Sequence, residues 1–392
     1  MLERVERIIR KDTRLCAGVM SGTSLDGMDV ALCEIGGHSQ GTRLSLLAFE
    51  TVPYTPEERE RLLAACSPDT GTVQAVCELN KWLGVRIGQA VLAALDRAGR
   101  SPRELDFVSS HGQTVFHMPW AGATLQIGEL ADIAAVTGAL AVGDFRPSDM
   151  AYGGEGAPLV PFVDFLLCQS SDKGRLMINI GGISNVTALP AGGSLSQVLA
   201  FDAGPGNVLA DHLMRLHSQG AQAYDKNGET ASRGRIREDF LEQMRREDPF
   251  LERKPPKSTG REQYTLEYAE ALLRRSLSQG MPFEDLMASV TEYTALALAQ
   301  AADRFVPFAP GEVYASGGGI HNRFLMDRLS RRLGKPIRNT AELGMHPDAK
   351  EAVAFALLGN QFLMGQPNNA PAATGADRPV VMGKLALPSP GV

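Results

Sequence analysis

Long apolar runs are missing from this 392-residue chain, and so are a basic excess, a paired-cysteine motif and a phosphate-loop lysine. No uninterrupted apolar stretch approaches the roughly 20 residues a bilayer-spanning helix needs, so no membrane partner is expected. Lys and Arg total 39 against 45 Asp and Glu, a formal charge of −6. Polyanion-binding domains usually carry the opposite balance, so nucleic acid is not an expected partner. The five cysteines, Cys16, Cys33, Cys66, Cys77 and Cys168, are odd in number and form no CxxC, which points to free thiols in apolar surroundings. Met1 to Arg7 is charged and lacks the hydrophobic region of a signal peptide, so a cytoplasmic protein is expected. His111 and His117 have no third ligand at metal-site spacing, and metal ligands stay unassigned. There is no short-period repeat, which excludes a solenoid.

What the chain does have is ordinary globular composition, 44% hydrophobic and 21% charged, over a length that implies two or three domains. It also has a series of small-residue turns at the ends of apolar runs. The first lies in Arg14 to Glu34, where two β-like runs flank Ser21 to Gly27. The pattern predicts a hairpin whose tip, Gly22, Thr23, Ser24, Leu25, Asp26 and Gly27, brings backbone N–H groups and hydroxyls to an anion such as phosphate. Gly and Asp also gather at hairpin tips for turn geometry alone, and both readings stand. Arg175 to Leu189 repeats the pattern of strand, Gly181-Gly182 turn and strand. The echo predicts two similar domains facing one another across a cleft, each giving one turn to the same phosphates.

Between these turns, helical spacing predicts a helix over Val73 to Arg97, and Leu105 to Val108 reads as a buried strand. The polar stretch after it, Ser109 to Thr114, holds His111 and Gln113 where α/β folds place ligands. Asp144 to Pro158 carries Arg146, Asp149, Glu155 and several glycines. It reads as a ligand-contacting loop or as a plain linker, and it sets the expected division into residues 1–143 and 144–392. Asp202 ends an apolar run before Gly204-Pro205-Gly206-Asn207 and a predicted helix from Val208. That position suits the carboxylate edge of an anion site at a helix N-terminus, or a turn residue. Arg253 to Arg261 is a basic, Pro-containing loop, read as solvated surface or as reaching the cleft. Helical patterns cover Leu266 to Ser278 and Phe283 to Phe305. Gly317, Gly318 and Gly319, followed by Ile320, His321 and Asn322, come after a strand and let backbone lie flat against a planar ligand such as adenine. The last helix begins near Asp348 with Glu351 in its first turn. Placed at about 348–364, it is expected to pack back on the first domain. Beyond Gly365 the composition predicts an extended tail.

The strings GVMSGTSLDGMDVAL, SSHGQTVFH, LQIGE, GDFRPSDMAYGGEGAPLVPFVD, NIGGISNVT, FDAGPGN, PPKSTGRE, ASGGGIHN and DAKEAVAFA, in that order, resemble the anhydro-N-acetylmuramic acid kinase family from about Ala17 to the tail. The resemblance implies an α/β, two-domain actin-like ATPase (sugar kinase) fold with duplicated mixed-sheet domains around a central cleft. It also implies a cytoplasmic homodimer and a role in recycling cell-wall peptidoglycan. The implied reaction takes 1,6-anhydro-N-acetylmuramic acid, ATP and water to N-acetylmuramic acid 6-phosphate and ADP. On matching positions, Gly22 through Met28 to Asp29 corresponds to the ATP-binding turn and Asp202 to the catalytic aspartate. His111, Arg146 and Glu351 fall at positions near the sugar or the reacting groups. Gln113, Glu155 and Pro158, inside the matched strings, join them on the substrate side. One departure is Ala203, where the family more often has Thr.

Such a reaction needs a carboxylate with room for water against the sugar, and Asp202 is the expected general base. GTSLDG lacks the lysine of a GK[ST] loop, so phosphate charge must be met by Mg²⁺, backbone N–H groups and Arg146. Two alternatives remain: an ATP-switched actin-like binding protein using the same turns, and a kinase of an ordinary free hexosamine.

Overall fold

The computed structural model describes residues 2–22, 25–260 and 263–389. Its contacts divide the chain into two units, Met1–Leu166 with Ala349–Val392, and Leu167–Asp348. The expected division at 143/144 falls inside the first unit. The reason is strand pairing: the strand Leu140–Gly143 is bonded on both sides, to the strand Phe107–Met118 and to a strand from the tail, Lys384–Ala386. The Gly-rich text after Gly143 is therefore a loop within one unit.

Unit 1 carries β1 (Thr13–Ser21), β2 (Gly27–Gly36), β3 (Arg43–Pro53), β4 (Phe107–Met118), β5 (Ala123–Ile127) and β6 (Leu140–Gly143). Unit 2 carries β7 (Arg175–Ile180), β8 (Ile183–Leu189), β9 (Leu199–Pro205), β10 (Glu312–Ser316) and β11 (Ile337–Asn339); β12 (Lys384–Ala386) returns to unit 1. The order β3-β2-β1-β4-β6 in one sheet is matched by β9-β8-β7-β10-β11 in the other. In each, the first three strands form an antiparallel meander and the last two run parallel to the meander's first strand. This duplicated mixed sheet is that of the two-domain actin-like ATPase and sugar-kinase fold.

Sequence explains the layering in unit 1. β1 is buried along nearly its whole length, as a strand covered on both faces must be, whereas edge strand β3 alternates between exposed and partly buried residues. One face is covered by the helix Val73–Arg97, capped by Thr72 and burying Leu79, Leu83, Ile87, Val91 and Leu95 as a single stripe. The other is covered by the helix Lys350–Leu363, which lies so close to β1 that a side chain at Gly18 would collide with the Ala352 carbonyl. Buried Arg14 ties that helix to the sheet by donating to Asn360 Oδ1 at 2.8 Å.

Two local expectations are corrected. β4 does not end at Val108: it continues through Ser109 to Thr114 to Met118, pairing with β5 beyond Gln113. Gly112, at φ +70° and with no room for a Cβ against the Ile127 carbonyl, lets the strand leave the parallel sheet for this hairpin. The residues after Gly365 are not an extended tail, because the Asn368 amide donates to Leu358 O and Met382 O at 2.9 and 3.0 Å and β12 completes the sheet. In unit 2 the helix Phe283–Phe305 is buried all round, with Val290, Tyr293 and Ala297 in one apolar cluster and Ala295, Leu298 and Ala301 in another. Its fully buried Glu292 is neutralised by Arg328 and Arg332, each 2.5 Å away.

Candidate active site

Unit 1 assembles a polar cluster where β4 meets the loop after β6. His111 is buried on β4 against the ring of Phe355, 4.9 Å between centres. Arg146 opens the short helix Arg146–Met150 and directs Nε and Nη2 at His111 Nε2, 3.1 and 3.0 Å away. A guanidinium only donates, so Nε2 carries the lone pair and Nδ1–H donates to Gly112 O at 2.9 Å. Burial and the Arg146 charge push the imidazole down to about 3, which keeps it neutral at physiological pH. Burial also draws Arg146 down to about 10, against the opposing field of Glu351. Glu351, in the first turn of the helix Lys350–Leu363, is pushed up by burial and by Asp29, with Lys350 and Arg146 opposing. His111, Arg146, Glu351 and Asp29 thus share one electrostatic neighbourhood.

The loop holding Arg146 is organised from behind. Arg146 Nη1 donates to Gly156 O at 2.8 Å, and Gly156 N–H donates to buried Asp149 at 2.9 Å. The other Asp149 oxygen accepts from Asn369 Nδ2 and Thr374 Oγ1 at 2.8 and 2.9 Å. Glu155 and Pro158, on the same loop, are exposed. Gln113 serves within the fold: its Oε1 accepts from Ser21 Oγ at 2.6 Å and its Nε2 donates to Thr114 O, so it braces β1 against β4. In the first hairpin, Thr23 and Ser24 lie outside the described residues. Leu25 and Met28 bury their side chains in the core, Asp26 is exposed with Arg59 at 4.0 Å, and Asp29 accepts from Thr51 Oγ1 at 2.6 Å.

In unit 2, Asp202 stands near the end of β9, opposite Asn185, where the register slips and leaves Ala203 as the extra residue of a bulge. Its Oδ2 accepts from Ser258 Oγ at 3.0 Å and from the Thr259 N–H at 2.9 Å. The turn that follows is not an open nest of donors. The N–H groups of Gly206, Asn207 and Val208 point back at the carbonyls of Gly181 and Gly182, at 2.8, 2.8 and 3.1 Å, so the two glycine turns are bonded to each other. Asn322 is used as a helix cap, its Oδ1 accepting from Leu325 N–H at 2.9 Å.

The profile of a family described as anhydro-N-acetylmuramic acid kinase matches residues 14–388. The chain belongs to that family. It is 41% identical to the anhydro-N-acetylmuramic acid kinase of Caldanaerobacter subterraneus subsp. tengcongensis over 98% of this chain and 100% of that one. It is 37% identical to the enzyme of the same name from Pseudoalteromonas atlantica over 99% of each chain. Among solved structures, component A of (R)-2-hydroxyglutaryl-CoA dehydratase from Acidaminococcus fermentans aligns over 90% of this chain and 99% of its own, at 13% identity and a TM-score of 0.47. A ROK family glucokinase from Streptomyces griseus aligns over 88% and 98%, at 13% identity and a TM-score of 0.37. As an anhydro-N-acetylmuramic acid kinase, the protein is a phosphotransferase using ATP. No helix among the described residues is long and apolar enough to cross a membrane.

For a kinase of this family the glycines sort into two kinds. Gly204 (φ +152°) and Gly317 (φ +83°) adopt conformations other residues avoid, and a Cβ at Gly27, Gly206 or Gly319 would collide with the chain itself. Gly181, Gly182 and Gly318 have no positive φ, and a Cβ would meet nothing closer than 3.6 Å, 4.0 Å and open space respectively. The fold does not require glycine at these three. Ala203 is fully buried in the core. Among residues that sequence reasoning passed over are Ser258 and Thr259; the signal was a hydroxyl pair following the basic, proline-containing segment that packs against Asp202 rather than being only solvated surface. Asn369 and Thr374 carried none beyond a polar composition.

Proposed function

We propose that Asp202 takes a proton from the water that attacks the anomeric carbon of 1,6-anhydro-N-acetylmuramic acid. As the new C1–O bond forms, the C1–O6 bond breaks, and O6 attacks the γ-phosphorus of MgATP, releasing ADP and N-acetylmuramic acid 6-phosphate. Capture of O6 by phosphorus removes the need for the acid that glycoside hydrolysis otherwise uses. The observation that carries this reading is Asp202 itself, a strand-end carboxylate fixed by two donors beside a glycine turn whose clearance the fold does not need. A carboxylate fixed in place by hydrogen-bond donors is a side chain suited to act as a general base.

In this reading Gly181 and Gly182 clear space for the phosphates, with Gly22 to Asp29 as the matching turn of unit 1 and Gly317 to Gly319 beside the adenosine. The magnesium ion travels with the nucleotide and neutralises phosphate charge. Among the described residues no three His, Cys, Asp or Glu could hold a resident metal, which suits an ion held chiefly by phosphates and water, with Asp26 and Asp29 supporting its waters. Neutral His111, both of its ring nitrogens committed within the fold, fixes Arg146 on the sugar side without adding charge, and Glu351 orients a sugar hydroxyl. The enzyme acts as a cytoplasmic homodimer in peptidoglycan recycling. Asp202→Asn tests the base: phosphosugar formation is expected to fall by ~10²–10⁴-fold, the usual contribution of general-base catalysis, with ATP affinity retained. Near-normal product from that variant would sink the proposal. Product from the free hexosamine and none from the anhydro form would favour the other sugar.

A further inference from the structure

Asp202 is held by a segment that belongs to neither helix nor strand. The Lys257 carbonyl accepts the Asp202 N–H at 3.2 Å, and Ser258 and Thr259 follow with their two bonds to Oδ2, so residues 257–259 run alongside the end of β9. An irregular segment can fix a carboxylate only if something fixes the segment. At one end, buried Lys257 donates to Phe250 O at 3.2 Å, with its ammonium 4.6 and 5.0 Å from the ring centres of Phe250 and Phe305. At the other, Thr259 Oγ1 donates to Gln263 Oε1 at 2.9 Å, and Gln263 Nε2 donates to Asp248 Oδ1 at 2.9 Å.

The direction of these bonds is dictated by chemistry. The Asp248 carboxylate, 5% exposed, also accepts from Phe250 N–H at 3.1 Å and from the hydroxyls of Tyr264 and Tyr293, both at 2.8 Å. Facing a carboxylate already built as an acceptor, the Gln263 amide must present its NH₂ group. Its carbonyl is then left for Thr259, whose hydroxyl proton is committed there, and the backbone N–H of Thr259 is aimed at Asp202. We infer that Asp248, Gln263 and Thr259 form a positioning relay that sets the orientation and basicity of Asp202. The inference rests on the reading of Asp202 as the base. None of the three touches the reacting atoms; they act through the Thr259 N–H.

The test is Thr259→Val and Gln263→Leu in the full chain, measured as kcat, KM for both substrates, and the pH profile of kcat/KM. Loosening the donors raises the pKa of Asp202, so the acid limb should move up by about half a unit or more, since hydrogen bonds to the charged form favour it. A base displaced by about 1 Å should lower kcat by about 10- to 100-fold, with KM for ATP little changed. Thr259→Ser should restore both, and the double variant should be no worse than either single one. Among the described residues, Lys257 and Tyr264 have fields that couple to Asp202, and both stay in place in every variant. Thr259→Val keeps the side-chain shape and carries the test if Gln263→Leu does not fold. Unchanged kcat and acid limb in folded variants would overturn the relay, as would a loss of kcat with no limb shift and no rescue by serine. Asp202→Asn separates the two ideas: an active Asp202→Asn enzyme removes the base reading, whereas an inactive one beside a normal Thr259→Val enzyme removes the relay alone.

Discussion

The first hairpin of unit 1 passes from Ser21 to Gly27 through a tip that includes Gly22, Leu25 and Asp26, whereas its counterpart in unit 2 turns in two residues, Gly181 and Gly182. The sheets behind them have the same order. In unit 1 the tip is tied into its own fold, with Leu25 buried, the Asp26 carbonyl accepting from Tyr54 N–H, and no space for a Cβ at Gly27. In unit 2 the tip is bonded to the next turn, yet Gly181 and Gly182 keep space the fold does not use. The polar chemistry differs as well. Unit 1 concentrates a neutral imidazole, a guanidinium and a raised carboxyl, and unit 2 holds one aspartate by a separate loop. On the proposed function, the duplicated scaffold gives recognition chemistry in one copy and a held base in the other.

The largest expected effect comes from filling the unused space and the used space in turn. Gly182→Val should fold with near wild-type thermal stability and raise KM for ATP by about 100-fold, because it displaces the phosphates by about an ångström. Gly206→Val should do the reverse: its Cβ runs into the Gly181 carbonyl, and the strain should cost at least ~1–3 kcal/mol, read as a lowered denaturation midpoint. A Gly182→Val enzyme with normal ATP kinetics would show that its clearance is not for nucleotide, and the contrast between the two kinds of glycine would fail.

Much of the scaffold was legible in the chain because it rests on periodicity. The helices Val73–Arg97, Leu266–Ser278 and Phe283–Phe305 have the limits their apolar spacing suggests, and the duplicated strand-turn-strand pattern is present in both sheets. What periodicity does not encode was harder to read. β4 looks like a strand followed by a polar turn, because Ser109, His111 and Gln113 are buried polar residues with partners on other elements. The tail reads as loose since Asn368 and Asn369 are loop-formers by composition, yet here their amides satisfy buried backbone groups. Ser258 and Thr259 meet an aspartate 56 and 57 residues earlier, and no local pattern reports that distance. Within the candidate site, the identities of His111, Arg146 and Glu351 were visible, but the dependence of Arg146 on Asp149 and the tail was not.

Acid should distinguish the units by a smaller but cleaner effect. His111 is held down to about 3 in the folded chain, below the ordinary 6.5, so the unfolded chain takes up its proton first. Its contribution to stability is therefore complete above pH 6.5 and is lost as pH falls from there toward 3, by up to about 1.4 kcal/mol per pH unit. Urea midpoints between pH 7 and pH 4 should fall more steeply for the wild type than for His111→Gln, which cannot be protonated. Equal slopes would mean that another group governs acid unfolding, and the neutral imidazole would lose its place in the contrast with Asp202.

The smallest effect tests whether the tail belongs to the sugar side alone. Asn369 and Thr374 both donate to Asp149 Oδ1, Asp149 Oδ2 accepts from Gly156 N–H, and the Gly156 carbonyl accepts from Arg146. Removing one of two donors leaves the buried carboxylate partly satisfied, so Thr374→Val should cost about 1–2 kcal/mol of stability. The displacement reaches Arg146 only through Gly156, and Arg146 is also held by His111, so KM for the anhydro-sugar should rise only a few-fold. KM for ATP should stay where it is, because none of the bonds just named involves a glycine turn of unit 2. Asn369→Ala, which also takes the acceptor from Val380 N–H, should cost more stability with the same sparing of ATP, and a variant of either residue that weakens ATP and sugar equally would contradict the proposed division of labour between the units.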